Sequence, residues 1–238
     1  AFPHAVQDEI WADGPDQVTP GALAPQGDLV PAQGGFNMTG RWSFNSGAAH
    51  GSWFILGAAD HTGDKPRLFH TMVPRADLNF DDNWFVLGLE GTGSIDITVE
   101  NLFVPKHRTL DSRDLFGGRS KWAERHATNV YKTPVFSGLS SILASAMLGI
   151  AENGLEAAKA LILDQKDRYT GRPKADRPGL HMRLAQSVAE LQCAEHLLSD
   201  NFDLLEIMAE GGTTSALRAQ AKFQATYSAE LSRRSIDR

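Results

Sequence analysis

Cysteine is almost absent from the chain. Cys193 is the only one in 238 residues, which excludes an intrachain disulfide framework and any multi-cysteine metal site. It lies in an apolar helical pattern and is expected to be a buried structural thiol, since reactive thiols need electropositive, partly exposed surroundings. A reducing, cytoplasmic location is the one expected. Long apolar runs are also missing. No stretch approaches the roughly 18 consecutive apolar residues that span a bilayer, so no membrane is expected as a partner. The opening AFPHAVQDEIW has neither the basic nor the apolar region of a signal peptide. It lacks an initiator Met, and AELSRRSIDR stops within a helical pattern, so both ends are expected to be cut from a longer chain.

Clustered positive charge is lacking too. Lys and Arg number 23 against 29 Asp and Glu, for a net charge of -6. The basic residues are scattered, which argues against nucleic acid as a partner. The histidines at 4, 61, 70, 107, 126, 181 and 196 show no metal-ligand spacing, so no metal site is expected. Neither a GxGxxG turn nor a Walker sequence occurs, which leaves a Rossmann or P-loop nucleotide site unsupported.

What is present divides the chain near residue 130. Before it, Gly35–Ser43, Ser52–Ala58, Arg67–Val73, Trp84–Leu89 and Ser94–Phe103 are rich in β-branched and aromatic residues and are separated by Gly, Pro, Asp and Asn clusters. They read as strands of a small antiparallel barrel or sandwich. After it, apolar residues recur at helical spacing through residues 140–169, 180–210 and 215–238. The loop GRPKADRPG and the Gly-Gly pair at 211–212 break the pattern, and Thr213 or Thr214 is placed to cap the last helix. The expected architecture is α+β: a central β-domain with its entering segment over 1–130, then a truncated up-down helical bundle over 131–238.

The densest segment is GGFNMTGRWSFNSGAAHGSWFILGA, residues 34–58. Its turn, Trp42-Ser43-Phe44-Asn45-Ser46-Gly47, sets aromatic rings beside hydroxyls and an amide. A flavin site needs that mixture: a flat apolar surface plus polar partners for the ring nitrogen and carbonyls. On composition alone an ordinary β-turn over a buried Trp is the more economical reading.

The G-R-W-x-F-x-S-G-x-x-H pattern from Gly40 to His50 resembles the acyl-CoA dehydrogenase superfamily. Within it, the pattern is most similar to the oxygenase components of two-component flavin monooxygenases, such as those acting on para-hydroxyphenylacetate or on the phenol ring of steroid degradation. Three other segments agree in order. Gly21-Ala22-Leu23-Ala24-Pro25 stands where the dehydrogenases carry a Thr-Glu-Pro flavin-contacting turn; Thr and Glu are absent, so contact through backbone groups is implied. Residues 84–108 resemble the G-x-x-G-T-G-S strand, with Thr92 and Ser94 near the pocket. DQKDRYTGRP, residues 164–173, is similar to the R-x-x-F-G-x-P segment. Its Arg168 stands three rather than four residues before the Gly, with Thr170 in place of Phe.

The resemblance implies an acyl-CoA dehydrogenase-like fold and an aromatic hydroxylase that uses O2 and reduced FAD or FMN. It implies a separate NAD(P)H-dependent flavin reductase, a small phenolic substrate and a homotetramer. Implied flavin contacts are Gly21, Ala22, Leu23, Trp42, Ser43, Phe44, Asn45, Ser46 and Arg168. Ser46 is the implied catalytic hydroxyl beside the flavin N5. Phe136, Leu139 and Ser140 are implied substrate walls, and His50 is either structural or part of the pocket. The alternative is another enzyme of the same fold, an acyl-CoA dehydrogenase or an N- or S-oxygenase. One dehydrogenase arrangement is disfavoured, because residues 138–142 carry no acid to serve as base and Glu152 lies more than two turns on.

Overall fold

The computed structural model describes residues 2–118 and 120–238. The chain separates into two compact units, Ala1–Ala127 and Thr128–Arg238.

The first unit is built on one seven-stranded sheet. Its strands are β1 (Gly21–Ala32), β2 (Gly35–Trp42), β3 (Trp53–Asp60), β4 (Arg67–Pro74), β5 (Asn79–Asp81), β6 (Asp96–Pro105) and β7 (Thr109–Asp111), in the order β5-β6-β2-β1-β3-β4-β7. Two short helices, α1 (His4–Ile10) and α2 (Ser112–Gly117), flank the sheet in sequence. Asp111 caps α2 by accepting from the Arg113 amide.

Three expectations need correction here. The sheet is mixed, because β1 and β3 run parallel. Residues 21–25 are not a loop but the start of β1. Pro25 hides the strand from a propensity reading, yet it sits at a break in the β1–β3 register, where a missing N–H is tolerated. Trp84–Leu89, though aromatic-rich, is not a strand: Gly88 and Leu89 both take positive φ, of 92° and 56°, and turn the chain.

The core of this unit gathers Leu29, Met38, Trp42, Phe54, Leu56, Ile97, Val99 and Val104. Trp42 is wholly buried and donates from Nε1 to the Gly57 carbonyl at 2.7 Å. Gly27 and Gly40 make room for its ring; a Cβ on either would collide with the indole.

The second unit holds three long helices, α3 (Val135–Asp164), α4 (Pro178–Gly211) and α5 (Ser215–Ile236). Pro178 opens α4, where its lost N–H costs nothing. Thr214 caps α5 by accepting from the Leu217 amide at 3.2 Å. Their buried stripes are rich in small and hydroxyl residues, which lets backbones approach. Ser141 donates to Asn201 Oδ1 at 2.5 Å, Asn201 Nδ2 to the Ala221 carbonyl at 2.7 Å, and Ser228 to the Ala194 carbonyl at 2.9 Å. Cys193 is exposed, contrary to expectation. It lies two residues past buried Leu191, and so about 200° around the helix from the core stripe.

By average hydropathy α3 is long and apolar enough to cross a membrane, at 1.5 over an 18-residue window. An unbroken apolar run does not reveal this, because Ser, Gly and Ala interrupt the larger residues without lowering the mean. Its outer residues Ile142, Leu143 and Ile150 are 61%, 68% and 63% exposed.

Candidate functional site

Two loops of the first unit are zipped together, the turn after β2 and the turn before β6. The Asn45 amide donates to the Ile95 carbonyl at 3.3 Å and the Gly47 amide to the Thr92 carbonyl at 2.7 Å. The Asn45 side chain is fully buried and donates to the carbonyls of Trp42 (2.6 Å) and Ile95 (3.2 Å). Its Oδ1 is buried without a partner among the described residues, a cost of about 1–3 kcal/mol that the site carries. Arg75 braces the far side of the turn, donating to the carbonyls of Ala48 (2.6 Å) and Gly51 (3.2 Å). Arg41 ties β2 to β5 and β6 through Asp81 at 2.7 Å and Asp96 at 2.9 Å.

The turn itself presents Phe44 and Ser46 outward. Phe44 takes a left-handed conformation with φ of 63° and is 68% exposed, its ring edge-on to Trp84 with centroids 5.8 Å apart. A non-glycine residue held there costs about 1 kcal/mol or more and marks a position worth explaining. Ser46 is exposed and its Oγ lies 2.8 Å from Ser94 Oγ. Ser94 Oγ is in turn 2.7 Å from Thr92 Oγ1, which donates to the Leu89 carbonyl at 2.8 Å.

The start of β1 joins this place. Ser43 donates its amide to Gln26 Oε1 at 2.9 Å, and Gly47 lies beside Pro20. Pairing of β1 with β2 begins only at Gly27, and Leu23 and Ala24 are bulged out of register with β3. The stretch 21–26 therefore offers a strand edge that β2 does not occupy. His70, buried on β4, reaches the bulge: Nε2 donates to the Leu23 carbonyl at 3.0 Å and Nδ1 accepts from the Ser112 hydroxyl at 3.0 Å. Burial pushes the His70 pKa below the usual histidine value, and the bond to Leu23 only partly offsets that.

The predicted residues thus separate into groups. Gly21, Ala22, Leu23, Ser43, Phe44, Asn45 and Ser46 come together in the first unit. Trp42 belongs to the same turn but is corrected in role: its ring is wholly buried in the core and has no surface for a ligand. The sequence pattern does not say which face of β2 the indole takes. Asn45 is likewise a buried brace rather than a surface group. His50 is exposed, and its ring makes no hydrogen bond among the described residues.

Arg168, in the second unit, is exposed on a loop organised by its neighbour. Asp167 accepts from Tyr169 N (3.1 Å) and Thr170 N (2.9 Å) and pairs with Arg177. Phe136 and Leu139 are exposed on the first turns of α3, and Ser140 donates to the Phe136 carbonyl at 2.8 Å, so its proton is already used. An open groove of about 480 Å³ between α3 and α4 includes Glu152, Glu156 and Glu195. None of the predicted residues lines it, and no metal-holding cluster of His, Cys, Asp and Glu exists among the described residues. Sequence reasoning missed His70; the only signal was a lone His within the apolar strand LFHTMV.

The donor set suits a flavin. The exposed Phe44 ring gives apolar surface, Ser46 and half-buried Ser43 give hydroxyls, and the strand edge at 21–26 gives backbone groups for ring carbonyls.

The chain is similar to known proteins over most of its length. Residues 141–238 match the family described as Acyl-CoA dehydrogenase, C-terminal domain. The chain is 29% identical over 237 residues to a pigment production hydroxylase of Rhodococcus sp. (strain ATCC 21145), covering 99% of this chain and 61% of that protein. It is 30% identical over 207 residues to the FADH(2)-dependent resorcinol hydroxylase, oxygenase component, of Rhizobium sp. (strain MTP-10005), covering 84% and 51%. Among solved structures it is similar to the 3-HSA hydroxylase from Rhodococcus sp. RHA1, with a TM-score of 0.88 and 27% identity over 99% of this chain and 62% of that one. The chain therefore spans half to three fifths of the relatives it matches.

Proposed function

We propose that the chain, whose residues 141–238 match the acyl-CoA dehydrogenase C-terminal domain, is part of the oxygenase component of a two-component, flavin-dependent monooxygenase acting on a small phenol. The observation that carries this reading is the turn 43–47: an exposed serine on a braced turn, beside an exposed aromatic ring and a strand edge that does not pair with β2. Reduced FAD or FMN, delivered by a separate NAD(P)H-dependent reductase, would supply the electrons that activate O2.

The chain's own part is positional. The edge at 21–26 would hold the ring system through backbone groups, with Phe44 giving it an apolar contact and Ser46 a hydroxyl for the reacting nitrogen. Phe136 and Leu139 are exposed apolar side chains suited to an aromatic substrate, and Arg168 is an exposed guanidinium suited to a phosphate. The exposed apolar side of α3 supports a homotetramer. The cell compartment that fits is the cytoplasm, where reductase and reduced flavin are available.

The test uses the full-length protein under anaerobic conditions, mixed with FADH2 or FMNH2 and then with O2 and a panel of phenols. Phenol-dependent formation of a hydroxylated product, with little H2O2, is expected. Failure to bind either reduced flavin would sink the reading. Turnover of an acyl-CoA with no phenol hydroxylation would move it to the dehydrogenase branch.

A further inference from the structure

The chain of hydroxyls behind the turn has a fixed polarity. Thr92 Oγ1 lies 2.8 Å from the Leu89 carbonyl, which can only accept, so the Thr92 proton is committed there. Thr92 Oγ1 can therefore meet Ser94 Oγ, 2.7 Å away, only as acceptor, and the Ser94 proton is committed to Thr92. Ser94 Oγ must in turn be the acceptor toward Ser46 Oγ at 2.8 Å. Each hydroxyl has one proton, so the count ends with Ser46 having given its own inward. What Ser46 shows to the outside is a lone pair. Ser94, at the centre of the chain, is buried, which keeps water from its two hydrogen bonds, while the Thr92–Leu89 bond at the end is exposed.

A reduced flavin carries a proton on N5 and donates there. An oxidised flavin has a bare N5 that accepts. We propose that Thr92 and Ser94 are positioning residues that lock the Ser46 hydroxyl as an acceptor, so that the turn accepts from N5–H of a reduced flavin and offers no donor to an oxidised one. This rests on the flavin reading of the turn and adds redox-state selection to it. Release of the spent oxidised cofactor follows from the same polarity, since the hydrogen bond is lost when N5 loses its proton.

The relay is tested by the dissociation constants of reduced and oxidised flavin, measured anaerobically and aerobically on the full-length protein. The ratio of the two also sets the midpoint potential of the bound flavin. Ser94→Ala removes the acceptor for the Ser46 proton. Thr92→Val frees the Ser94 proton to turn toward Ser46, which then points its own outward. Thr92→Ser keeps the hydroxyl and should behave as the parent. In both disrupting variants the preference for reduced flavin should fall about tenfold, the scale of one hydrogen bond. A tenfold fall moves a two-electron potential by about 30 mV. Should Ser94→Ala misfold, Thr92→Val, at a half-buried position, decides alone. Both flavins bound with an unchanged ratio in a folded variant would overturn the relay and leave the flavin reading standing. No binding of either flavin by the parent protein would overturn both.

Discussion

His70 on β4 and Leu23 on β1 are joined across the intervening strand β3 by a 3.0 Å hydrogen bond. Gly57 of β3 makes this possible. It pairs with His70 in the register, and a Cβ there would strike the carbonyls of Leu23 and Ala24. Because a carbonyl can only accept, the His70 proton is on Nε2, and Nδ1 is left to accept from Ser112. The bulge that carries the candidate strand edge is thus held from behind by a neutral histidine.

His70→Leu should destabilise the protein by about 1–3 kcal/mol, because it strands a buried carbonyl and hydroxyl. His70→Gln, which can still donate near Nε2, should recover part of that loss. Urea denaturation of both variants measures the difference. Equal stability of His70→Leu and the parent would mean that the bulge holds its shape without the bond.

The same residue gives a sign to the pH dependence. Its folded pKa lies below the unfolded value of about 6.5. As pH falls through 6.5 the unfolded chain takes up a proton that the folded chain refuses, so the unfolded state binds more protons and stability falls. The loss continues until the pH reaches the depressed folded value. His70→Gln should lack this increment of acid sensitivity, which paired denaturation curves at pH 7.5 and 5.5 would reveal. Parallel pH profiles for the two proteins would remove His70 as the cause.

How much of this was legible in the sequence varies by element, for physical reasons. The long helices announced themselves because a 3.6-residue period over 30 residues has few competing explanations. β1 did not, since Gly21, Pro25, Gly27 and Pro31 interrupt it. Tertiary pairing overrides that propensity, with Pro25 at a register break and Pro31 beyond the last β3 partner, Leu29. The turn at 43–47 was found through resemblance and composition, but the side of β2 taken by Trp42 was not, because a two-residue period shows alternation and not which face is inward. The hydroxyl relay was half visible: Thr92 and Ser94 were near the expected pocket, but the contact of Ser94 with Ser46 spans 48 residues of sequence.

Trp42→Ala should cost about 3–5 kcal/mol, the usual range for deleting a buried aromatic. The ring is fully buried and hydrogen-bonded to Gly57. Trp42→Phe should cost less but still lose that bond. Thermal denaturation measures both. A loss below about 1 kcal/mol for the alanine variant would contradict the core placement.

Phe44 separates stability from binding. Its left-handed backbone favours glycine, so Phe44→Gly should relieve strain of about 1 kcal/mol and leave stability nearly unchanged despite the lost ring. Reduced-flavin affinity should nonetheless fall about tenfold, if one aromatic contact of roughly 1.4 kcal/mol is removed. Flavin titration beside a melting curve distinguishes the two effects. Affinity unchanged in a stable variant would show that Phe44 does not face the cofactor.

The exposed side of α3 bears on assembly. Leu139, Ile142, Leu143, Met147 and Ile150 are all exposed, while Ser141, Ala144, Leu148 and Ala151 form the buried stripe. The two sets lie on different faces of the helix. A charge placed on the outer set should therefore spare the three-helix packing and disrupt whatever covers that face. For Ile142→Glu with Leu143→Glu, the unpaired charges would cost several kcal/mol inside an apolar subunit contact. In water they would change stability by only about 0.5 kcal/mol. Sedimentation should show the double variant at a lower oligomeric state with its helix content intact. A double variant that assembles like the parent would place the subunit contacts elsewhere and leave the apolar face of α3 to another partner.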